Sequence, residues 1–131
     1  MAVERRAVNP WTWQDQFGFV QANEVKGIER VLICSGQTAM SADGQPQHPG
    51  DMRAQVALAL DNLETVLREA GLDWSNVVRL NHYTTDMDAF FQAADVLGSR
   101  LGGIQAASTV LGVTRLAFPE LMIEMEAMAV A

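Results

Sequence analysis

Two glutamates near the end of the chain, Glu124 and Glu126, are the residues whose type and spacing first suggest chemistry. They lie in "LMIEMEAMAVA", an otherwise apolar run without a turn residue. Because side chains alternate along a strand that rises roughly 3.3 Å per residue, both carboxylates are predicted to share one face, with Cα atoms about 6.6 Å apart. Two interpretations remain open. The pair either lies at the surface and binds solvent, Arg79 or Arg100, or provides a cleft-side carboxylate with a raised pKa that transfers a proton.

A second candidate segment is "VLICSGQ", in which Cys34 ends an apolar run and is followed by Ser35 and Gly36. A free cysteine in such a run is usually a small core residue, since a nucleophilic thiol needs an exposed, electropositive setting. The next two residues are better candidates for ligand contact, because a glycine lets backbone groups approach a bound molecule without a Cβ in the way. A structural turn explains the same glycine equally well.

Other residues that could carry chemistry give weaker signals. The two histidines, His48 and His82, have no Cys, His or acidic partner at ligand spacing, so no metal site is predicted. The sequence contains neither a phosphate-binding loop nor a dinucleotide fingerprint. An aromatic group near the N-terminus either supports a flat ligand or packs its segment against the sheet. That group consists of Trp11, Trp13, Phe17 and Phe19.

Composition excludes several classes of protein. The 131 residues, 49% apolar and 19% charged, predict a single domain over residues 1–131. A formal net charge of −7 disfavours binding to nucleic acid. The single cysteine cannot form an internal disulfide, which predicts a reducing, cytoplasmic location. No secretory h-region is visible, and no apolar stretch approaches the roughly 20 residues of a membrane helix, so no membrane partner is predicted.

Hydrophobic periodicity predicts the elements that position these residues. Residues 17–25 and 30–36 are predicted to form two strands joined as a hairpin through "KGIE". Apolar residues at steps of three and four predict an amphipathic helix over residues 51–70, with Gly71 as its stop signal.

The second half of the chain continues with a strand in "NVVRLNHYTT" and a helix from about Asp86 to Leu101. Two more strands follow, in "STVLGVTRLA" and "LMIEMEAMAV". The order ββαβαββ predicts an α+β fold whose two helices cover one face of a sheet. Segments such as "VLIC" are apolar on both sides, so the uncovered face is predicted to contact other copies in a homo-oligomer.

Together, "FGFVQA", "LICSGQTA", "MRAQVALALDNLETVLREAGLDWSNVV" and "IEMEAMAVA" resemble the RidA/YjgF family of small trimeric proteins. The resemblance extends over residues 17–130. It implies a chorismate mutase-like α+β fold, a homotrimer whose sheets enclose an inner barrel, and clefts between subunits. Founding members hydrolyse reactive 2-imino and 2-amino-enoic acids with a bound water and no organic cofactor. In the family, the carboxylate that matches Glu124 lines the cleft.

The sequence departs from the family at the arginine that binds the substrate carboxylate. Active members carry that arginine after a proline and an alanine in the penultimate strand, where it makes two parallel hydrogen bonds. Matching "GVTRLAFP" to the end of that strand places Ser108 at the arginine and Ala106 at the proline. Arg115 lies seven residues further on and has the opposite parity, so it is predicted to face the other side of the sheet. The usual cleft aromatic is Phe19, without a phenolic hydroxyl, and a polar position of the second helix is Ala94.

The resemblance therefore implies a divergent member that binds a small molecule in clefts between subunits. As an enzyme it would hydrolyse an imine or enamine other than a typical 2-imino acid, with Glu124 as the catalytic group. The predicted substrate-binding residues are Phe19, Ser35, Gly36 and Ser108. The alternative is a non-catalytic ligand sensor or protein-binding trimer that has lost the reaction. A nuclease, a label sometimes attached to this family, is disfavoured by the acidic charge and the absence of a basic stripe.

Overall fold

A computed structural model describes residues 2–131 and contains six β-strands and three α-helices among them. The strands are β1 (Glu4–Val8), β2 (Ala22–Lys26), β3 (Val31–Ile33), β4 (Val77–Thr84), β5 (Ala107–Gly112) and β6 (Ile123–Val130). The helices are α1 (Met52–Glu69), α2 (Met87–Gln92) and α3 (Ala94–Leu101), and two short 3₁₀ helices cover Trp13–Phe17 and Trp74–Asn76. The α+β class predicted from the sequence is confirmed.

A four-stranded mixed sheet in the order β3-β6-β4-β5 forms the centre of the fold. Strand β6 runs antiparallel to both β3 and β4, whereas β4 and β5 are parallel and are connected through α2 and α3. Burial alternates along β6 as the sequence predicts. Ile123, Met125 and Ala127 are buried, and Glu124 and Glu126 point to the opposite face.

Helix α1 covers one face of this sheet. The Asp51 carboxylate caps it by accepting a hydrogen bond from Ala54 N–H at 3.1 Å. Gly71, with φ of 75°, follows the last turn in the left-handed conformation that glycine adopts most readily. The fully buried residues of its apolar stripe are Val56, Ala59, Leu60, Leu63 and Leu67. The predicted helix over residues 51–70 is confirmed.

The predicted second helix is interrupted. Asp86 caps its first part, α2, by accepting from Ala89 N–H at 3.0 Å. At Ala93 the backbone turns to φ −95° and ψ 10°, and α3 begins at the next residue. Ala93 is completely buried, and apolar residues of both short helices pack against the same core cluster, among them Phe90 of α2 and Leu97 of α3. Neither glycine nor proline marks this position, so the sequence pattern alone predicts one continuous helix.

The predicted hairpin between residues 17–25 and 30–36 is wrong. Strand β2 pairs with the N-terminal strand β1 in a separate two-stranded sheet, with Glu4 opposite Lys26. The Arg5 guanidinium fixes this sheet to the rest of the chain. It donates hydrogen bonds to the carbonyl oxygens of Ile104 at 2.8 Å and Gln105 at 2.6 Å, just before β5. Strand β1 has too few apolar residues to be recognised from periodicity.

The face of the central sheet opposite α1 carries large apolar side chains that remain exposed. Ile33 is 75% exposed, and Val31, Leu111 and Met128 are also exposed on this face. A sheet with one helical layer leaves such a face without a partner inside the chain. The uncovered apolar face inferred from the sequence is therefore present.

Candidate functional site

A cavity of about 760 Å³ lies on the helix side of the sheet, between strand β5, helices α2 and α3 and the N-terminal 3₁₀ helix. We call it the aromatic cavity. Its aromatic wall residues are Trp13, Phe17, Phe19, Phe90 and Phe91. Two of the five predicted site residues, Phe19 and Ser108, line it.

Short backbone contacts place Phe19 beside Ser108. Val20 N–H donates to Ala106 O at 3.1 Å, so the segment after the 3₁₀ helix runs parallel to the start of β5. Ser108 lies opposite Leu80 in the parallel register and therefore faces the helices as Leu80 does. Trp13 packs edge-on against Phe19, with ring centroids 5.9 Å apart. Both residues therefore face the same cavity.

The polar lining of the aromatic cavity includes His82 and Asp15 but neither lysine nor arginine among the residues that the structure describes. His82 is only 9% exposed, and its ring centroid lies 5.5 Å from that of Phe90. Its Nδ1 atom is sealed from solvent and has no hydrogen-bond partner within residues 2–131. Burial lowers the pKa of His82 to about 4, so the imidazole is neutral at physiological pH.

We expect His82 to make the folded protein sensitive to acid. Its pKa is about 4 in the folded chain, against 6.5 ordinarily, so between these pH values only the unfolded state binds the proton. The free energy of unfolding should therefore fall as the pH decreases through this range. When the pH falls from 7 to 4, the free energy of unfolding should decrease less in the His82→Leu variant than in wild type. The difference between the two decreases should be about 3 kcal/mol at most.

Chemical denaturation at pH 7 and pH 4 measures this difference. His48→Asn is the matched control, because His48 is exposed and its φ of 55° suits asparagine. The control should follow wild type. If the free energy of unfolding fell equally in wild type and His82→Leu, the acid sensitivity would not come from His82.

The other three predicted site residues lie on the opposite, helix-free face of the sheet. We call the group formed by Ser35, Gly36, Glu124 and Glu126 the carboxylate patch. Glu126 accepts hydrogen bonds from Tyr83 Oη at 2.5 Å and from Asn81 Nδ2 at 3.3 Å. Glu124 makes no hydrogen bond within residues 2–131. Partial burial, and secondarily the charge of Glu126, raise the pKa of Glu124.

A β-bulge brings the carboxylate patch together. Cys34 N–H donates to Ala127 O at 2.9 Å, and Gln37 exchanges backbone hydrogen bonds with Met125 at 2.7 and 2.9 Å. The two residues Ser35–Gly36 therefore oppose the single residue between these partners on β6, which defines a bulge. The bulge directs this backbone over the carboxylate that has no hydrogen bond.

Gly36 is required by a close approach. A Cβ built on Gly36 would lie 2.5 Å from Glu124 Oε1, closer than non-bonded atoms tolerate. Neither Ser35 N–H nor Gly36 N–H has a partner among residues 2–131. The segment that passes Glu124 therefore carries two backbone donors without a partner, and the Glu124 carboxylate itself accepts no hydrogen bond there.

The cysteine and three of the arginines lie apart from a catalytic role at the two glutamates. Cys34 is buried in the core, and burial raises the pKa of its thiol, as expected of a structural cysteine. Arg100 pairs with Asp61 and Glu64, and Arg79 donates to Thr109, so neither arginine binds the two terminal-strand glutamates. Arg115 lies beyond the end of β5, so the parity argument from a longer strand does not apply to it.

Sequence reasoning missed two residues of these sites. Tyr83 and Asn81 were not identified as partners of Glu126, although both lie at alternate positions of the predicted strand and thus share a face. The long-range register that places them beside β6 cannot be predicted from the local sequence pattern. No role was predicted for His82 from the sequence. No cluster of three His, Cys, Asp or Glu suited to a metal ion occurs in the described part of the chain.

Comparison with known proteins defines the class. Residues 16–131 match the family model described as endoribonuclease L-PSP, and the chain therefore belongs to this family, the RidA/YjgF or Rid family. A solved structure of the Rid-family protein YyfB of Yersinia pestis, a protein of unknown function, is 37% identical to it. That likeness has a TM-score of 0.84 and covers 97% of this chain and 98% of YyfB.

Two further relatives are less similar in sequence than YyfB. The 2-iminobutanoate/2-iminopropanoate deaminase of Mus musculus is 28% identical over 103 residues, which cover 79% of this chain and 76% of the deaminase. The mitochondrial protein mmf2 of Schizosaccharomyces pombe is 33% identical over 86 residues, covering 66% and 67% of the two chains.

Within residues 2–131, no helix has the length and apolar character needed to cross a membrane.

Proposed function

We propose that this Rid-family protein binds a small molecule in clefts between the subunits of a homotrimer and hydrolyses an imine or enamine that is not a typical 2-imino acid. The observation that carries the proposal is the Glu124 carboxylate. It is partly buried, has a raised pKa and no hydrogen-bond partner within residues 2–131, and lies against Gly36, whose N–H, like that of Ser35, has no partner there. Such a group can activate water.

The proposal of a shared cleft rests on the separation of the two groups of site residues. Ser108 and Phe19 line the aromatic cavity on the helix side, whereas Glu124 and Gly36 lie on the other face of the same sheet. Within one chain the sheet stands between them. Contact between the exposed apolar face of one copy and the mouth of the aromatic cavity of another would bring the carboxylate patch of the first to the cavity of the second. We propose a homotrimer on this basis and on the resemblance stated above.

The proposed chemistry follows from the charges. The water oxygen bonds to the imine carbon, the C=N π pair moves to nitrogen, and Glu124 accepts the water proton. Glu124 then returns the proton to the nitrogen, which gives a carbinolamine. In a second transfer Glu124 moves the hydroxyl proton to the nitrogen, the oxygen pair forms the C=O bond as the C–N bond breaks, and a carbonyl compound and ammonia leave. The N–H groups of Ser35 and Gly36 would orient the reacting oxygen. The reaction needs water and no organic cofactor.

The substrate class follows from what the aromatic cavity lacks. A guanidinium normally binds a carboxylate through two charge-assisted hydrogen bonds, but Ser108 stands where the resemblance places that arginine. The residues that line the cavity include Asp15 and no lysine or arginine within the described chain. A 2-imino acid would therefore lose its counter-charge, whereas an uncharged imine would not.

A matched pair of substrates tests the proposal. We expect the methyl ester of 2-iminopropanoate to release ammonia faster than the uncatalysed reaction and at least about tenfold faster than 2-iminopropanoate itself, because no cation offsets desolvation of the acid. Both imines are generated in the assay, and the mouse deaminase serves as the positive control for the acid. Turnover of the acid at the rate of the deaminase would refute the substrate class. Failure to hydrolyse any imine of a wider panel would refute the reaction.

We expect Gly36→Ala to disrupt the carboxylate patch without unfolding the protein. The new methyl group would clash with the flexible end of Glu124, so the carboxylate must move while the sheet stays intact. Displacement of a catalytic group by about 1 Å can lower a rate on the order of 100-fold. Ester hydrolysis and a thermal melt measure the two effects.

Gly44→Ala is a control for the cost of a glycine substitution, because Gly44 adopts φ of 80° and has open space around its Cβ position. It should lower the melting temperature through backbone strain and leave kcat unchanged. Wild-type kcat in Gly36→Ala would show that the contact with Glu124 is irrelevant to turnover.

A non-catalytic ligand sensor or protein-binding trimer is the second candidate. The exposed aromatic side chains at the mouth of the cavity favour it, since Trp13 and Phe17 are 58% and 62% exposed and form a surface that a partner would cover. Saturable ligand binding without turnover on the imine panel would select this alternative. We propose a cytoplasmic location for either function. Nuclease activity is not proposed, because the net charge of −7 opposes binding of a polyanion.

A further inference from the structure

We propose that the aromatic cavity selects an uncharged ligand with an aromatic ring, whose polar group forms a hydrogen bond with the imidazole of His82. The inference rests on the proposed function in that it treats this cavity as the ligand-binding half of the cleft. It adds the chemical class of the ligand and a specificity residue, His82.

The size and walls of the aromatic cavity suit a flat ring. Its volume of about 760 Å³ lies within the range of small-molecule sites, and aromatic side chains approach it from both sides. Phe19, held edge-on by Trp13, stands on the N-terminal side, and Phe90 and Phe91 stand on α2. Edge-to-face and offset contacts with a ligand ring are available from each wall.

The charges around the aromatic cavity favour a neutral ligand over an ion. An anion would meet the carboxylate of Asp15, the net charge of −7 and no lysine or arginine among the described lining residues. A cation would leave water for a mostly apolar wall, with one exposed carboxylate at its edge as partner. An uncharged ring avoids both costs.

The hydrogen-bonding capacity of His82 is unused within the described chain. The side chain lines the cavity. Its Nδ1 is sealed and cannot be reached by a ligand, whereas Nε2 is not among the sealed atoms and makes no hydrogen bond within the described chain. The neutral imidazole, kept so by burial, therefore offers one hydrogen bond at Nε2 to a bound molecule. A ligand with an amide or hydroxyl beside its ring would use it.

Three benzene derivatives of one size test the charge preference. Benzamide is uncharged, benzoate is an anion and benzamidine is a cation at pH 7.5. Titration of the wild-type protein, followed by calorimetry and tryptophan fluorescence, should show saturable binding of benzamide and at least tenfold weaker binding of both ions. Equal or tighter binding of either ion would overturn the proposed ligand class.

Variants locate the binding and test His82. His82→Leu should weaken benzamide binding at least fivefold, and His82→Gln, which keeps a donor and an acceptor, should restore most of it. Ala94→Phe should abolish binding, because Ala94 lines the cavity and the added ring would occupy it. Unchanged binding in Ala94→Phe would place the site elsewhere and overturn the proposal. Equal binding by the leucine and glutamine variants would remove the role of His82.

The outcome is separable from that of the proposed function. Benzamide binding does not require turnover. Selective binding together with an absence of imine hydrolysis would retain this inference and reject the enzyme. Imine hydrolysis together with stronger binding of benzoate would retain the enzyme and reject this inference.

Discussion

Replacing Glu124 by glutamine should lower the rate of imine hydrolysis by about 100- to 1,000-fold while leaving ligand affinity nearly unchanged. The substitution keeps the size of the side chain but removes the group that accepts a proton from water, and general base catalysis contributes an effect of this order. Steady-state release of ammonia from the methyl ester measures kcat and KM separately. A loss confined to KM would mean that Glu124 binds substrate and does not transfer protons.

Glu126→Gln is the matched control for this experiment. The Glu126 carboxylate is already bonded to Tyr83 and Asn81, so it should contribute little directly, and kcat at neutral pH should stay within about threefold of wild type. Its charge also helps to raise the pKa of Glu124. The acid limb of the pH–rate profile should therefore move to lower pH in Glu126→Gln. Equal losses of kcat in the two variants would contradict the division of roles.

Thermal stability provides a readout of Glu124 that is independent of turnover. Because its pKa is raised in the folded state, the group favours folding at low pH, and this contribution is lost as the pH rises through the raised value. Glu124→Gln should thus melt above wild type at pH 7, by no more than about 3 °C because the carboxylate is partly solvated. The difference should vanish below about pH 4. A lower melting temperature at pH 7 would contradict the unfavourable burial of this charge.

Introducing an arginine at Ser108 should raise kcat/KM for 2-iminopropanoate by about 10- to 100-fold. A guanidinium on this strand position would project into the aromatic cavity, where it can form two charge-assisted hydrogen bonds with the substrate carboxylate. The same change should weaken benzamide binding, since a charge and a long side chain would enter an apolar space. Ammonia release from the acid and its methyl ester measures whether the preference inverts.

Two further substitutions at the same position separate charge from size. Ser108→Met adds a long, uncharged side chain and should not improve turnover of the acid. Ser108→Lys adds a charge without the planar fork and should give an intermediate gain. If the methionine and arginine variants behaved alike, the missing cation would not be the reason for poor turnover of 2-imino acids.

Local sequence patterns were sufficient for the elements that depend on nearby residues. The three- and four-residue spacing of Leu60, Leu63 and Leu67 predicted α1, and the alternation around Glu124 and Glu126 predicted both β6 and the shared face of the two carboxylates. The same kind of pattern failed where a distant contact decides the structure. Strand β1 exists because it pairs with β2 and is fixed by Arg5, and nothing within its own five residues signals this.

The arrangement of the candidate site was predictable only in part. The strand pattern made Glu124 a candidate and the family resemblance made Ser108 one, but their placement on opposite faces depends on the registers of β4 with β5 and β6. Leu80 pairs with Ser108, whereas Tyr83 pairs with Glu124. Such registers are set by packing across the whole sheet and by a bulge at β4, which no local pattern encodes. The free nitrogen of His82 likewise becomes visible only once its surroundings are known.

The contact of Arg5 with the carbonyl oxygens of Ile104 and Gln105 makes the first strand part of the frame of the aromatic cavity, although no residue of that strand lines it. A purification tag or fusion partner that pulls β1 away would release two backbone acceptors immediately before β5 and loosen the cavity wall. Differences in ligand affinity between tagged and untagged preparations would then report on this anchor. Assays of the protein are therefore best compared between preparations with identical amino-terminal ends.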